Sequence, residues 1–322
     1  MTMSSTSLAT GLRRALSGAG AAGPGRPPLQ TRNTRPSRGA ATMLALVAPS
    51  VVLLVLINAY PLVVAASQSL HKGSLIITGQ FTGLENYTDV LTRPAFWKAA
   101  WFTVVFTLVG VFGSWLVGLG LALLLRTKIP AGGFFKVVLM LPWVVPIVVS
   151  STAWNWLVAT PDSPVPRLAR SLGLGDLLFL ADPTLAAITV CVFKVWVSFP
   201  FMMLMISAAL ASVDHNVYEA ADMDGATKWQ TFTRITLPMI RRSTYISWIL
   251  MTIFCVNDFP TIYLLTGGGP VNATSSLVVL AYRTVFQDFQ TGPGVAIAFL
   301  MTLALVVIST VLYRQIRKGE TA

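Results

Sequence analysis

From Ala99 to Leu125 the chain reads AAWFTVVFTLVGVFGSWLVGLGLALLL, with no formal charge anywhere in the run. A helix needs about 20 residues to cross a hydrocarbon core, so this stretch is long enough to span one. Comparable apolar runs occupy 43–66, 137–159, 184–211, 243–265 and 294–313, and only Lys194 and Asp258 place a formal charge inside them. Backbone N–H and C=O groups in lipid have to be satisfied within the segment, which selects α-helices. The short alternating segments of a membrane β-barrel are absent. The sequence therefore predicts an all-α membrane protein with six transmembrane helices.

Composition agrees. Of the 322 residues 54% are hydrophobic and 11% charged, whereas a soluble domain carries about 25% charged residues. This excludes a soluble enzyme, a nucleic-acid module and a disordered chain. The net charge of +11 reflects topology rather than a nucleic-acid partner, because its placement is one-sided. Arg13, Arg14, Arg26, Arg32, Arg35 and Arg38 precede the first run. Arg126, Lys128 and Lys136 follow the second; Lys228, Arg234, Arg241 and Arg242 follow the fourth; Arg314, Arg317 and Lys318 follow the sixth. The opposite connections hold only Lys72, Arg93, Lys98, Arg167, Arg170 and Arg283. Basic residues stay on the cytoplasmic side, so both termini are expected there. Residues 1–42, rich in Gly, Ala, Ser, Pro and Arg without apolar period, read as a disordered basic tail. The first run is too long for a cleaved leader and reads as a retained anchor. The membrane domain is expected over 43–316, with a short tail at 317–322.

Residues for covalent chemistry are missing. His71 and His215 fall on opposite sides of the membrane in this topology, so neither a His-based metal site nor a relay forms. Cys191 and Cys255 sit inside apolar runs and make no metal cluster. Gly267-Gly268-Gly269-Pro270 has no Lys-Ser/Thr after it and reads as an external turn, not a nucleotide loop. No cofactor is expected on the chain. If ATP drives its work, a separate subunit binds the nucleotide and Mg.

Between the fourth and fifth runs lies Ser212-Val213-Asp214-His215-Asn216-Val217-Tyr218-Glu219-Ala220-Ala221-Asp222-Met223-Asp224-Gly225-Ala226, continuing to Thr236-Leu237-Pro238. Helix formers fill the middle, Asp214 and Asn216 offer caps, and Gly225 allows a turn of either hand. Asn216 stands three residues before Glu219, at capping-box spacing. A short cytoplasmic helix is predicted near 214–225, with Ala220 and Ala221 giving it a thin side that another protein can approach. The spacing Glu219-Ala220-Ala221, three residues, Gly225, nine residues, Ile235, one residue, Leu237-Pro238 resembles the EAA loop of ABC importer permeases. His215, Arg241 and Arg242 stand where family members often carry prolines.

A second segment narrows the resemblance. Phe254-Cys255-Val256-Asn257-Asp258-Phe259, then Ile262-Tyr263-Leu264-Leu265-Thr266-Gly267-Gly268-Gly269-Pro270, is similar to the first permease subunit of carbohydrate importers of the maltose, glycerol-phosphate and trehalose type. Trp196, Phe199-Pro200-Phe201 and Met202-Met203 are similar to the same group, within which the actinobacterial trehalose permease stands nearest. The resemblance implies type I ABC importer architecture and transport of a sugar, a disaccharide such as trehalose or maltose. It implies a non-catalytic chain partnered by a second permease, two cytoplasmic ATPases and an extracytoplasmic binding protein that meets loop 71–97 and residues 266–291. It also implies that Tyr218, Glu219, Ala220, Ala221, Asp224 and Gly225 couple to the ATPase. Rival readings are an ABC permease for another solute and a self-contained channel or carrier, for which inverted repeats are absent.

Ionisable residues at membrane depth are costly and point to function. Lys194 and Asp258 both fall in the outer half of the membrane, where they either pair or line a cavity. Sugars need planar hydrogen-bonding groups beside flat apolar faces. Trp196, Ser198 and Phe201 of span four, with Phe254, Asn257 and Asp258 of span five, are the candidate sugar contacts. Gly110, Ser114 and Gly118 permit close helix packing, and Pro142 and Pro146 predict a bend in span three.

Overall fold

The computed structural model describes residues 38–318 apart from 75, 128 and 129. The chain divides into two units, one ending at Ala59 and the other starting at Tyr60, and helix α1 (Arg38–Ser69) contributes to both. Because α1 begins at Arg38, the last residues expected in the basic tail are helical; residues 1–37 lie outside the described residues. Within the second unit, a hairpin of β1 (His71–Gly73) and β2 (Thr78–Phe81) is followed by α2 (Glu85–Thr92). Loop 71–97 is thus largely ordered structure. Asn86 Nδ2 donates to Ser69 O at 2.8 Å and to His71 O at 3.0 Å, tying α2 to the end of α1. Lys72 pairs with Glu85, and the hydrogen bond to that carboxylate holds the lysine pKa above its ordinary value.

The remaining helices are α3 (Pro94–Arg126), α4 (Gly132–Val144), α5 (Ile147–Val158), α6 (Pro164–Ser171), α7 (Pro183–Ala211), α8 (His215–Met223), α9 (Lys228–Gln230), α10 (Leu237–Val256), α11 (Phe259–Thr266), α12 (Leu277–Phe286) and α13 (Thr291–Lys318). Among the described residues four helices are long and apolar enough to cross a membrane, namely α1, α3, α7 and α13. The third and fifth spans are broken pairs: α4 and α5 meet at 92°, α10 and α11 at 44°. The bend expected in span three is present, whereas the run 243–265, expected as one span, is broken near Asn257 and Asp258. Neither α4 nor α5 alone reaches the 20 or so residues of a crossing helix.

The breaks have local causes. Val145, before Pro146, is extended at φ −67° and ψ 132°, as sterics ahead of a proline demand. Pro142 sits inside α4 without ending it. In the fifth span Pro260 cannot donate to a preceding carbonyl, and Asp258 caps a new helix instead. By contrast α7 starts cleanly at Pro183, with Asp182 accepting from Thr184 N at 2.9 Å and Leu185 N at 2.8 Å.

The core is a contact of α3, α7 and α10. Phe106, Phe193, Met202, Met251 and Ile262 are fully buried there. A second cluster, with Leu119, Met203, Ile206 and Ile240, lies toward α8. Small residues set the separation of α3 and α7. A Cβ on Gly118 would lie 2.7 Å from Met203 N and 2.8 Å from Met202 Cβ, whereas one on Gly120 would meet nothing within 4 Å. Gly118→Ala should therefore lower the thermal midpoint in detergent, by the equivalent of about 1–3 kcal/mol for an overpacked core. Gly120→Ala should leave the midpoint unchanged or raise it; equal behaviour of the two variants would contradict this packing.

Candidate functional site

The joint between α10 and α11 is built around a charge pair. Lys194 of α7 places Nζ 2.6 Å from Asp258 Oδ2, with both side chains only 8% exposed. Asp258 Oδ1 accepts the Thr261 N–H at 3.0 Å and so caps α11. Phe106 lends its ring face to the ammonium at 6.0 Å. Gly110 makes room: a Cβ there would stand 2.7 Å from Cys255 Sγ and 3.2 Å from Lys194 Cγ. Of the two expected alternatives, the pair is what forms. Each carboxylate oxygen of Asp258 thus holds one partner inside the protein, Oδ2 the Lys194 ammonium and Oδ1 the Thr261 N–H.

The other candidate sugar contacts separate into distinct places. Phe254 and Asn257 sit one turn apart on the exposed side of α10, where Asn257 Nδ2 donates to Ile253 O at 2.9 Å. Phe201 of α7 packs edge-on to Phe254 at 5.7 Å and stacks on Trp143 of α4 at 5.2 Å. Trp143, which sequence reasoning missed, is the third member of this aromatic shelf; its position between Pro142 and the break at Pro146 was the available signal. Trp196 is elsewhere, against Trp154 at 5.6 Å and Phe193 at 6.0 Å. Ser198 is buried one turn from Lys194 on the same face of α7, and its hydroxyl has no hydrogen-bond partner among the described residues.

The segment after α7 forms the expected short helix, α8. Asp214 is its cap, accepting the Asn216 N–H at 3.0 Å; Asn216 lies inside the helix, so the Asn216–Glu219 capping box does not form. The box that does form is Thr227–Gln230, opening α9. Gly225 takes φ +73°, and the Gly225 N–H to Asp222 O and Ala226 N–H to Ala221 O bonds close a Schellman motif. Glu219, Ala220, Asp224 and Gly225 face outward, beside Met223 at 88% exposure. Ala221 is buried against the chain itself, so the thin side expected from both alanines is Ala220 alone. Tyr218 is half-buried, with the Arg126 guanidinium 4.2 Å above its ring.

After α11, Gly267 (φ +61°) and Gly268 (φ +90°) make the expected turn, and the Gly269–Pro270 peptide is cis. Thr266 and Thr274 hydroxyls meet at 2.7 Å across it.

The profile of the family described as "Binding-protein-dependent transport system inner membrane component" matches residues 40–320. The chain belongs to this family. It is thus a multi-pass membrane permease, as its apolar helices require. The permease is 33% identical over 277 residues to the sulfoquinovosyl glycerol transport system permease of Agrobacterium fabrum, covering 85% of this chain and 90% of that one. It is 31% identical over 277 residues to the trehalose transport system permease of Mycobacterium tuberculosis, covering 82% and 85%. A chain from the crystal structure of a bacterial ABC transporter involved in import of the acidic polysaccharide alginate superposes with TM-score 0.74 at 20% identity, over 86% of this chain and 96% of that one. The fold is therefore that of an ABC importer permease.

Because a buried charge left alone costs far more than a buried pair, Lys194→Met and Asp258→Asn should each destabilise the permease by about 3–5 kcal/mol. The double variant should recover most of the loss, since both charges leave together. Thermal unfolding of the four proteins in detergent checks this; additive losses would show that the pair carries no coupling.

Proposed function

We propose that the chain is the transmembrane subunit of an ATP-driven importer and forms half of the path for a sugar, a disaccharide such as trehalose or maltose. The observation that carries this reading is the aromatic shelf of Trp143, Phe201 and Phe254 beside the Asn257 amide, at the break of the fifth span. Flat rings suit the C–H faces of a sugar, and an amide both donates and accepts hydrogen bonds to its hydroxyls. The sugar specificity of the two relatives named above supports the same substrate class.

In this reading Phe201, Phe254 and Asn257 touch the sugar together with Trp143, and Trp196 lines the path farther along α7. Asp258 positions Asn257, and Ser198 supports the same face of α7. A second, similar permease completes the cavity. An extracytoplasmic binding protein delivers the sugar, and both termini face the cytoplasm. The chain itself catalyses no covalent step: two ATPase subunits bind and hydrolyse ATP and dock against Glu219, Ala220, Asp224 and Gly225, with Ala221 and Tyr218 on the inward side of the same helix. ATP-driven closure of the ATPases moves α8 and shifts the population of cavity orientations.

Uptake of radiolabelled trehalose and maltose in cells lacking the gene tests this. Wild type should restore uptake of one of them. Gly225→Asp should reduce it at least tenfold with the protein still in the membrane, because a non-glycine residue is strained at this left-handed φ and the added charge sits at the docking face. Phe254→Ala should raise the uptake KM several-fold. Restoration of neither sugar, or normal transport by Gly225→Asp, would contradict the proposal.

A further inference from the structure

The docking helix has to be mechanically joined to the spans it is meant to move. Its covalent links are short and turn-like: Ser212 to Asp214 on one side, and the Gly225 turn on the other. Its outward residues Glu219, Ala220, Asp224 and Gly225 are exposed. On its inward side Val217 and Ala221 offer only apolar contact, whereas Tyr218 reaches two different spans at once.

The first contact is with α3. Arg126, its last residue, lies with its guanidinium carbon 4.2 Å from the centre of the Tyr218 ring. A cation over a ring face is held by the ring quadrupole and is directional, unlike apolar packing. The second contact is with the start of α10. Thr236 Oγ1 lies 3.4 Å from Tyr218 Oη and 3.3 Å from Thr231 O, so its single proton is shared between the tyrosine hydroxyl and that carbonyl. Thr236 is buried and ends a π-helical turn, Thr231–Thr236, that leads directly into α10.

That turn is not regular helix because Pro238 follows. Pro238 has no N–H to give to the carbonyl four residues earlier, and the chain takes a wider turn there. A π turn inside an otherwise α-helical segment has an alternative packing close at hand, so it is a place where a displacement can be absorbed or passed on. Beyond it α10 runs without interruption to Val256, next to the Lys194–Asp258 pair.

We propose that Tyr218 is the positioning residue that transmits displacement of α8 to the bundle, through Arg126 to α3 and through Thr236 to the π turn of α10. This rests on the reading of α8 as the ATPase docking helix. A residue in this role is needed for coupling but not for docking, since its side chain faces away from the ATPase side.

The test uses the assembled importer with both permeases, the ATPases and the binding protein in proteoliposomes. Three quantities are read: ATPase subunits co-purified per permease, ATP hydrolysed, and sugar moved per ATP. Tyr218→Leu should retain stoichiometric ATPase subunits while sugar moved per ATP falls at least fivefold. Tyr218→Phe keeps the ring over Arg126 and loses only the hydroxyl, so its ratio should fall between the two. Arg126→Gln should lower the ratio with Tyr218 intact.

A wild-type ratio in Tyr218→Leu would overturn the inference. So would loss of co-purified ATPase in Tyr218→Phe, which would make the position a docking contact. Failure of the underlying reading is distinguishable. In that case Gly225→Asp would leave ATPase co-purification and uptake untouched, whereas failure of the present inference alone leaves Gly225→Asp defective and Tyr218→Leu normal.

Discussion

Two opposite charges that cannot be left apart organise the centre of this permease. Away from water, Lys194 or Asp258 alone would cost several kcal/mol. Their 2.6 Å contact therefore fixes α7 against the joint of α10 and α11. The constraint spreads outward. Asp258 can cap α11 only because α10 ends at Val256, so one carboxylate joins the break in the fifth span, through Oδ1, to the ion pair, through Oδ2. Gly110 has to be small for α3 to close over Cys255 and Lys194. The buried phenylalanines and methionines of α3, α7 and α10 then fill the volume this geometry leaves.

The break also places chemistry. Ending α10 at Val256 leaves Phe254 and Asn257 exposed at a helix terminus, and the 92° turn of the third span brings Trp143 against Phe201. Non-helical backbone at membrane depth is tolerated where protein or a cavity satisfies it. Here the Asn257 side chain donates to a carbonyl of the last turn, and the Asp258 side chain accepts from the first turn of α11. At its other end α10 opens from a π turn beside α8, so one helix reaches from α8 to the aromatic shelf.

Much of this was legible in the sequence because its causes are local. Charge-free runs fix helices in lipid, and Gly225 announced the turn that ends α8. The Gly110, Ser114 and Gly118 spacing pointed to a close helix contact, which Gly118 makes against α7. What the sequence concealed depends on distance. A proline predicts a bend but not 92°, and no local signal tells that Trp143 stacks on Phe201 some sixty residues away. Asn216 has capping-box spacing, yet Asp214 wins because the helix starts one residue after it. Ala220 and Ala221 are alike in sequence and opposite in exposure, since the rotation of α8 is set by Tyr218 and its neighbours. The sequence left Lys194 and Asp258 either paired or lining a cavity, because which residue of α7 faces Asp258 depends on how the helices pack; the structure pairs them.

The proposed meeting point of substrate and permease is the broken fifth span. It is tested most directly by Asn257→Cys in the assembled importer, labelled with a membrane-impermeant maleimide. The native Cys191 and Cys255 are buried and provide the background. Saturating sugar should slow labelling of the new thiol several-fold, and trapping the ATPases with ATP should change its rate. A labelling rate identical with and without sugar, in every nucleotide state, would contradict it.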